Sequence, residues 1–241
     1  MTMYLASLLA GAIMAAVFVV AMNYSTVAQP PARPARQVDD SYPPTLRDIA
    51  RHLPYDDLLK ARHDSDVITW AHEAHHFLNS RLSDARKRGF YVLDNTVYRF
   101  PIPKSTKLRD VAEAIPEELR GKVYHTYLIA AQRDWNDIPL YMYDEALAYW
   151  TGAMVRQEIG RKERQETERF GVELLVYSLY ATNEMCLREG EDFPKQDVQD
   201  FLDLMVARAR VICPEFDEQP HAKALANIGR SLEVADAKEE R

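Results

Sequence analysis

The chain has 241 residues, 47% of them hydrophobic and 28% charged, the makeup of a globular protein long enough to bury a core. Its formal net charge of −7 gives no electrostatic footprint for a nucleic-acid partner, which normally appears as clustered Lys and Arg on an otherwise basic domain. Cys186 and Cys213 are the only cysteines and are not spaced as a metal knuckle, so they are either one disulfide or two free thiols.

Residues 3–22 form a run of about 20 apolar residues without a charge, long enough to span a bilayer. Residues 1–28 are therefore expected to be a signal peptide, with Thr26-Val27-Ala28 as a small-residue cleavage site, or a retained membrane anchor. Arg33 and Arg36 after the segment favour a cytoplasmic domain if the helix is kept. A short apolar segment ahead of a soluble domain is more often an export signal, so the expectation is an exported or membrane-anchored protein with an extracytoplasmic domain. Residues 29–44 carry five prolines and read as an extended tether, reaching about 50 Å at roughly 3.1 Å per residue.

The folded domain is expected over residues 45–230, ahead of a polar tail at 231–241. It opens with TLRDIARHLPYDDLLKAR, where Pro54 divides two short helices. Asp64-Ser65 offers an N-cap for a long helix through about Arg88. Aromatic and β-branched residues at 89–100 flank Asp94-Asn95 and predict a hairpin with a tight turn, closed by Pro101 and Pro103. Apolar recurrence at three and four residues predicts helices near 116–134, 139–159, 161–188 and 194–211. The fold class is α+β, mostly helical with one small hairpin.

The chemistry concentrates in Trp70-Ala71-His72-Glu73-Ala74-His75-His76-Phe77-Leu78. His72 and His76, four residues apart, stand about 40° apart on one helical face and can reach one ion. Imidazole nitrogen suits zinc, and Glu73 between them projects to the same side, placed to hold a water as general base. Apolar neighbours on both sides mean that three titratable groups are to be buried, which is costly unless they are paired or coordinated. The segment resembles the active-site helix of the zincin metallopeptidases. That resemblance implies His72 and His76 as Zn2+ ligands, Glu73 as the base that activates water, and a peptide or protein as substrate. His75 departs from the zincin pattern and makes a rival pair with His72, its expected role being a supporting or surface histidine.

A catalytic zinc needs a third protein ligand. Glu145 is the best candidate, since it interrupts the apolar helix PLYMYDEALAYWTGAMV on a stripe with Tyr141, Ala148 and Gly152. Glu145 and Ala148 also resemble the second motif of the gluzincins, a Glu followed three residues later by Ala, although 69 positions separate His76 from Glu145. Asp144, His125 and Glu173 are rival ligands, Glu173 reading better as a buried hydrogen-bonding group. An oxyanion would need a donor, for which Tyr141, Tyr143 and His125 are candidates, Tyr141 being preferred. Two other classes stay open. Glu73 and His76 also match the Glu-x-x-His motif of di-iron carboxylate bundles, whose second copy could only be Glu218-Gln219-Pro220-His221, or the chain is an envelope protein that binds a metal without catalysis.

Overall fold

The structure, a computed structural model, describes residues 39–62, 66–161, 166–190 and 193–213. The expected export segment, most of the tether, the polar tail and Glu218 to His221 lie outside the described residues.

Helix α1 (Pro44–His52) starts with Pro44 in its first turn, where the missing N–H costs nothing, and ends with Arg51 and His52 at its carbonyl terminus. Pro54 separates it from α2 (Tyr55–Ala61), because it has no N–H to continue the ladder and its ring disfavours helical backbone at Leu53, which is extended at φ −103° and ψ 131°. Helix α3 (Val67–Leu82) is capped by Asp66, whose carboxylate accepts from the Ile68 N–H. It stops at Leu82, short of the predicted Arg88. There the Ser83 hydroxyl donates to the Asn79 carbonyl and accepts from the Gly89 N–H, turning the chain into a strand.

Strands β1 (Lys87–Tyr91) and β2 (Val97–Pro101) pair antiparallel with Gly89 opposite Arg99. The connection is longer than the tight turn expected at Asp94-Asn95. Leu93, Asp94 and Asn95 all take positive φ, at 50°, 52° and 61°, and Thr96 N–H closes the loop on the Leu93 carbonyl.

A short helix α4 (Leu108–Ala114) was not expected, and the single helix predicted over 116–134 is broken into three pieces. These are a 3-10 turn (Glu117–Leu119), a π-helical segment (Tyr124–Ala130) and the one-turn α5 (Gln132–Trp135). The break has a tertiary cause. The Glu173 carboxylate, from a distant helix, accepts the Val123 N–H at 3.0 Å and sits where a Cβ on Gly121 would fall, so the backbone at 121–123 is held to Glu173. Helices α6 (Tyr141–Glu158), α7 (Glu166–Glu189) and α8 (Lys195–Ile212) match the three predicted last.

Helix α3 packs on α6, and α6 on α7, while the hairpin covers the end of α3. One apolar cluster gathers α1, α2 and part of α3, with Leu46, Ile49, Ile68, Trp70 and Leu78. The other joins the hairpin to α4, α6, α7 and α8 through Phe90, Phe100, Tyr143, Tyr177 and Phe201. Both α3 and α6 are buried on nearly all faces, and their shared interface is where the polar residues lie. The architecture is the mostly helical α+β domain with a two-stranded hairpin that the sequence predicts. Among the described residues no helix is long and apolar enough to cross a membrane.

Candidate metal centre

The four-residue spacing on α3 brings His72 Nε2 and His76 Nε2 to 3.0 Å from each other. From α6, Glu145 presents Oε1 at 3.7 Å from His76 Nε2 and Oε2 at 3.9 Å from His72 Nε2. The three side chains are 3–5% exposed, and their ligand atoms lie within 4.8 Å of one another, close enough to hold a metal ion. Two nitrogens bound tetrahedrally at about 2.0–2.1 Å would stand roughly 3.3 Å apart, a few tenths of an ångström from what the rings already adopt. Glu145 Oε2 is buried without a hydrogen-bond partner, a cost that coordination would remove.

The histidine tautomers follow from what surrounds them. The Asp144 carboxylate can only accept, so His76 Nδ1 donates to its Oδ2 at 2.8 Å and Nε2 is the nitrogen turned to the site. Asn79, one turn beyond His76 on α3, donates from Nδ2 to the other Asp144 oxygen at 2.6 Å, while its Oδ1 accepts the Tyr91 N–H from the hairpin at 2.8 Å. The His72 ring hydrogen-bonds the backbone of Ala148 on α6. Asp144, a rival ligand by sequence, therefore orients His76 from behind, an arrangement that raises the basicity of a metal-binding imidazole.

Burial opposes a charge on His76, but Asp144 and Glu145 outweigh it and lift the ring to about 10. Burial and the neighbouring histidines push His72 well below its ordinary value. The short contact between the rings is thus a protonated His76 donating to a neutral His72. Burial raises Glu145 to about 7 against the pull of His76.

Glu73 is 5% exposed, close enough for its charge to act on His76, Glu145 and Tyr149. Tyr141 is stacked on Trp135 and hydrogen-bonds the Glu145 carboxylate, one turn ahead on α6. Two further tyrosines complete the surroundings, and neither was singled out by sequence. The Tyr149 ring stands edge-on to His72 at 4.8 Å, and its hydroxyl meets that of Tyr127, from the π-helical segment, at 2.7 Å. Tyr149 follows Glu145 by four residues, a helical spacing that could have pointed to it, whereas Tyr127 depends on the broken helix.

The other candidates are not gathered here. His75 is buried, not at the surface, and its Nδ1 meets Thr151 Oγ1 at 2.6 Å. His125 is exposed beside Tyr124. Tyr143 hydrogen-bonds Thr182 within the aromatic cluster. Glu173 accepts from Val123 N and the Tyr177 hydroxyl, the structural hydrogen-bonding role expected of it.

His72, His76 and Glu145 are the group of metal-ligand type found among the described residues. No protein-family model, no curated protein and no solved structure matches the chain, so the reading of this centre rests on its own geometry.

Proposed function

We propose that the chain is a zinc-dependent hydrolase of zincin type, most simply a peptidase, with His72, His76 and Glu145 as ligands and Glu73 as general base. The observation that carries this reading is the convergence of two imidazole Nε2 atoms and an unpartnered carboxylate oxygen on one point, with a second carboxylate from the ligand helix beside it. Two neutral nitrogens and one carboxylate leave a tetrahedral position for water, and this donor set suits zinc. When bound, the ion would supply Lewis acidity and lower the pKa of water toward neutrality.

The residues of the chain do the rest. Asp144 and the Ala148 backbone hold the two imidazoles with Nε2 inward. Tyr141 fixes the rotamer of Glu145. Glu73 takes a proton from the attacking water and returns it to the leaving group. Tyr149 and Tyr127 close the site beside His72, where a hydroxyl could donate to a developing oxyanion once the pair separates.

Burial favours a second reading. Structural zinc sites are closed and catalytic ones keep an open position, and side chains that are 3–5% exposed describe a closed one. A non-catalytic metal centre joining α3 to α6 is the alternative.

One comparison separates the two. The full-length protein and Glu73→Gln are assayed for metal content and for cleavage of a peptide library. One zinc per chain in both proteins, with cleavage at least 100-fold slower in the variant, is the result expected of the hydrolase. Zinc in both and no cleavage by either identifies the structural centre, and equal cleavage by both refutes Glu73 as base.

A further inference from the structure

The metal group is closed, so an ion can reach it only after part of the protein moves. Of the side chains described at the centre, Tyr149 alone is partly exposed, the ligands, Glu73, Asp144, Tyr127 and Tyr141 all being buried. The way out therefore passes the Tyr149 ring, which stands edge-on to His72 at 4.8 Å. Tyr127 lies across it. Its hydroxyl meets that of Tyr149 at 2.7 Å, and its ring packs on those of Tyr149 and Tyr141 at centroid distances of 6.0 and 6.2 Å. Tyr141 and Tyr149 stand one turn before and one turn after Glu145 on α6, so Tyr127 roofs the ligand carboxylate.

Tyr127 belongs to the π-helical segment, which is a single layer here. Tyr124, Tyr127 and Leu128 face inward, and His125, Thr126, Ile129 and Ala130 are exposed. The segment packs mainly on α4 and α5, its neighbours in the chain, rather than on α6. Both ends are fastened. Val123 N–H donates to Glu173, Gly121 N–H to the Tyr177 hydroxyl, and the Tyr124 hydroxyl to the Ala112 carbonyl, each at 3.0 Å. Beyond α5, the Asn136 carbonyl accepts the Leu108 N–H at 2.8 Å and its side chain the Arg109 N–H at 3.1 Å. The span between is wound wide, with Ala131 N–H bonded to the Thr126 carbonyl five residues back at 3.2 Å. Such turns are rare and are found mostly at functional sites. Tightening them to bonds four residues back would turn the Tyr127 side chain about the helix axis while the fastened ends stay in place.

We propose that residues 124–130 are the gate of the metal centre, with Tyr127 leaving Tyr149 to open a path to His72. This rests on the reading of His72, His76 and Glu145 as a metal site and requires no hydrolysis; if the centre is hydrolytic, the same opening admits the substrate. Parting α3 from α6 would also expose the ligands, but it breaks the interface between the two apolar clusters and so approaches global unfolding. Lifting the segment takes only Tyr127 and Leu128 from the core.

The test is the rate of zinc uptake by metal-free, full-length protein, at zinc concentrations where the rate no longer rises and opening alone limits it. Ala130→Gly, on the exposed face of the segment, weakens its helical state without touching a ligand. Ala207→Gly, exposed on α8, makes the same change elsewhere. Ala130→Gly is expected to raise the limiting rate about fivefold, and amide hydrogen exchange over 124–131 by the same factor, while Ala207→Gly keeps both within about twofold of wild type. Equal acceleration by both variants would mean that the whole fold opens, and no acceleration by either that the ion enters elsewhere; each result overturns the gate. A protein that takes up no zinc refutes the metal site and the gate with it. The expected rates without any peptide cleavage uphold the gate and refute only the hydrolase.

Discussion

His72 Nε2 and His76 Nε2, 3.0 Å apart in a buried interface, need something positive between them, and the choice is a proton or a metal ion. In the metal-free protein it is a proton, because Asp144 and Glu145 raise His76 to about 10 although its burial works the other way. Ligands must be deprotonated to coordinate, so metal binding releases protons and weakens as pH falls. At pH 8 His76 is protonated, Glu145 with its value of about 7 is mostly ionised, and His72 is already neutral. About one proton should then leave per ion bound, rising to about two at pH 6, where Glu145 is protonated as well. Calorimetry in buffers of differing ionisation enthalpy counts them. A proton count that does not change between these pH values would show that Glu145 is not a ligand. At this scale the sequence was most legible. Two histidines at helical spacing need only the helix to converge, and a carboxylate in an apolar helix has to face some partner. The role of Asp144 was not legible, because adjacent Asp and Glu on α6 differ by about 100° in direction and only the position of α3 decides which one meets Nε2 and which meets Nδ1.

Among the elements, the hairpin matters to the centre through one amide. Asn79 ties the Tyr91 backbone to Asp144, so the strand, the carboxylate and the His76 ring form one hydrogen-bonded line. The strand can lie this close to α3 because Gly89 has no side chain. A Cβ there would come within 2.4 Å of the Leu82 carbonyl oxygen, and backbone cannot move aside as a side-chain tip can. Gly89→Ala should therefore lower stability by about 1–3 kcal/mol, the usual cost of overpacking, as read from the denaturant midpoint. Metal affinity should fall with it as Asn79 loses its strand partner, while an exposed control such as Val97→Ala on β2 changes affinity little. The hairpin itself was legible from its aromatic alternation. Its loop was not, since three consecutive left-handed residues are stabilised by contacts from α1, where Asp48 accepts from the Tyr91 hydroxyl and the Asp94 N–H. The same holds for residues 116–134, where the apolar pattern is helical but the grip of Glu173 on Val123 divides it.

For the whole molecule, α3 is the common wall of the two apolar clusters, contributing Trp70, Ala71 and Leu78 to the first and packing on the α6 core of the second. An ion held by α3 and α6 therefore links the two halves and should stabilise the entire domain. Free metal at 100 times its Kd adds roughly 2.7 kcal/mol. For a domain of this size that is a rise in Tm of about 5–10 °C, measured by calorimetry with and without zinc and expected to be much smaller in Glu145→Gln. Helix order and the position of the core were readable from periodicity, because α6, α7 and α8 are long and apolar. The pairing of α3 with α6 was not, since both are buried on nearly all sides and neither shows a single face that names its neighbour.

The burial of the centre also sets a clock. Side chains that are 3–5% exposed exchange a ligand with solvent only when α3 and α6 part or the Tyr127–Tyr149 pair opens, so the traffic of ions is timed by the protein's own breathing. A chelator added to the zinc-loaded protein should strip it at a rate that stops increasing with chelator concentration, and Tyr127→Phe, which removes one hydroxyl from the pair, should raise that plateau.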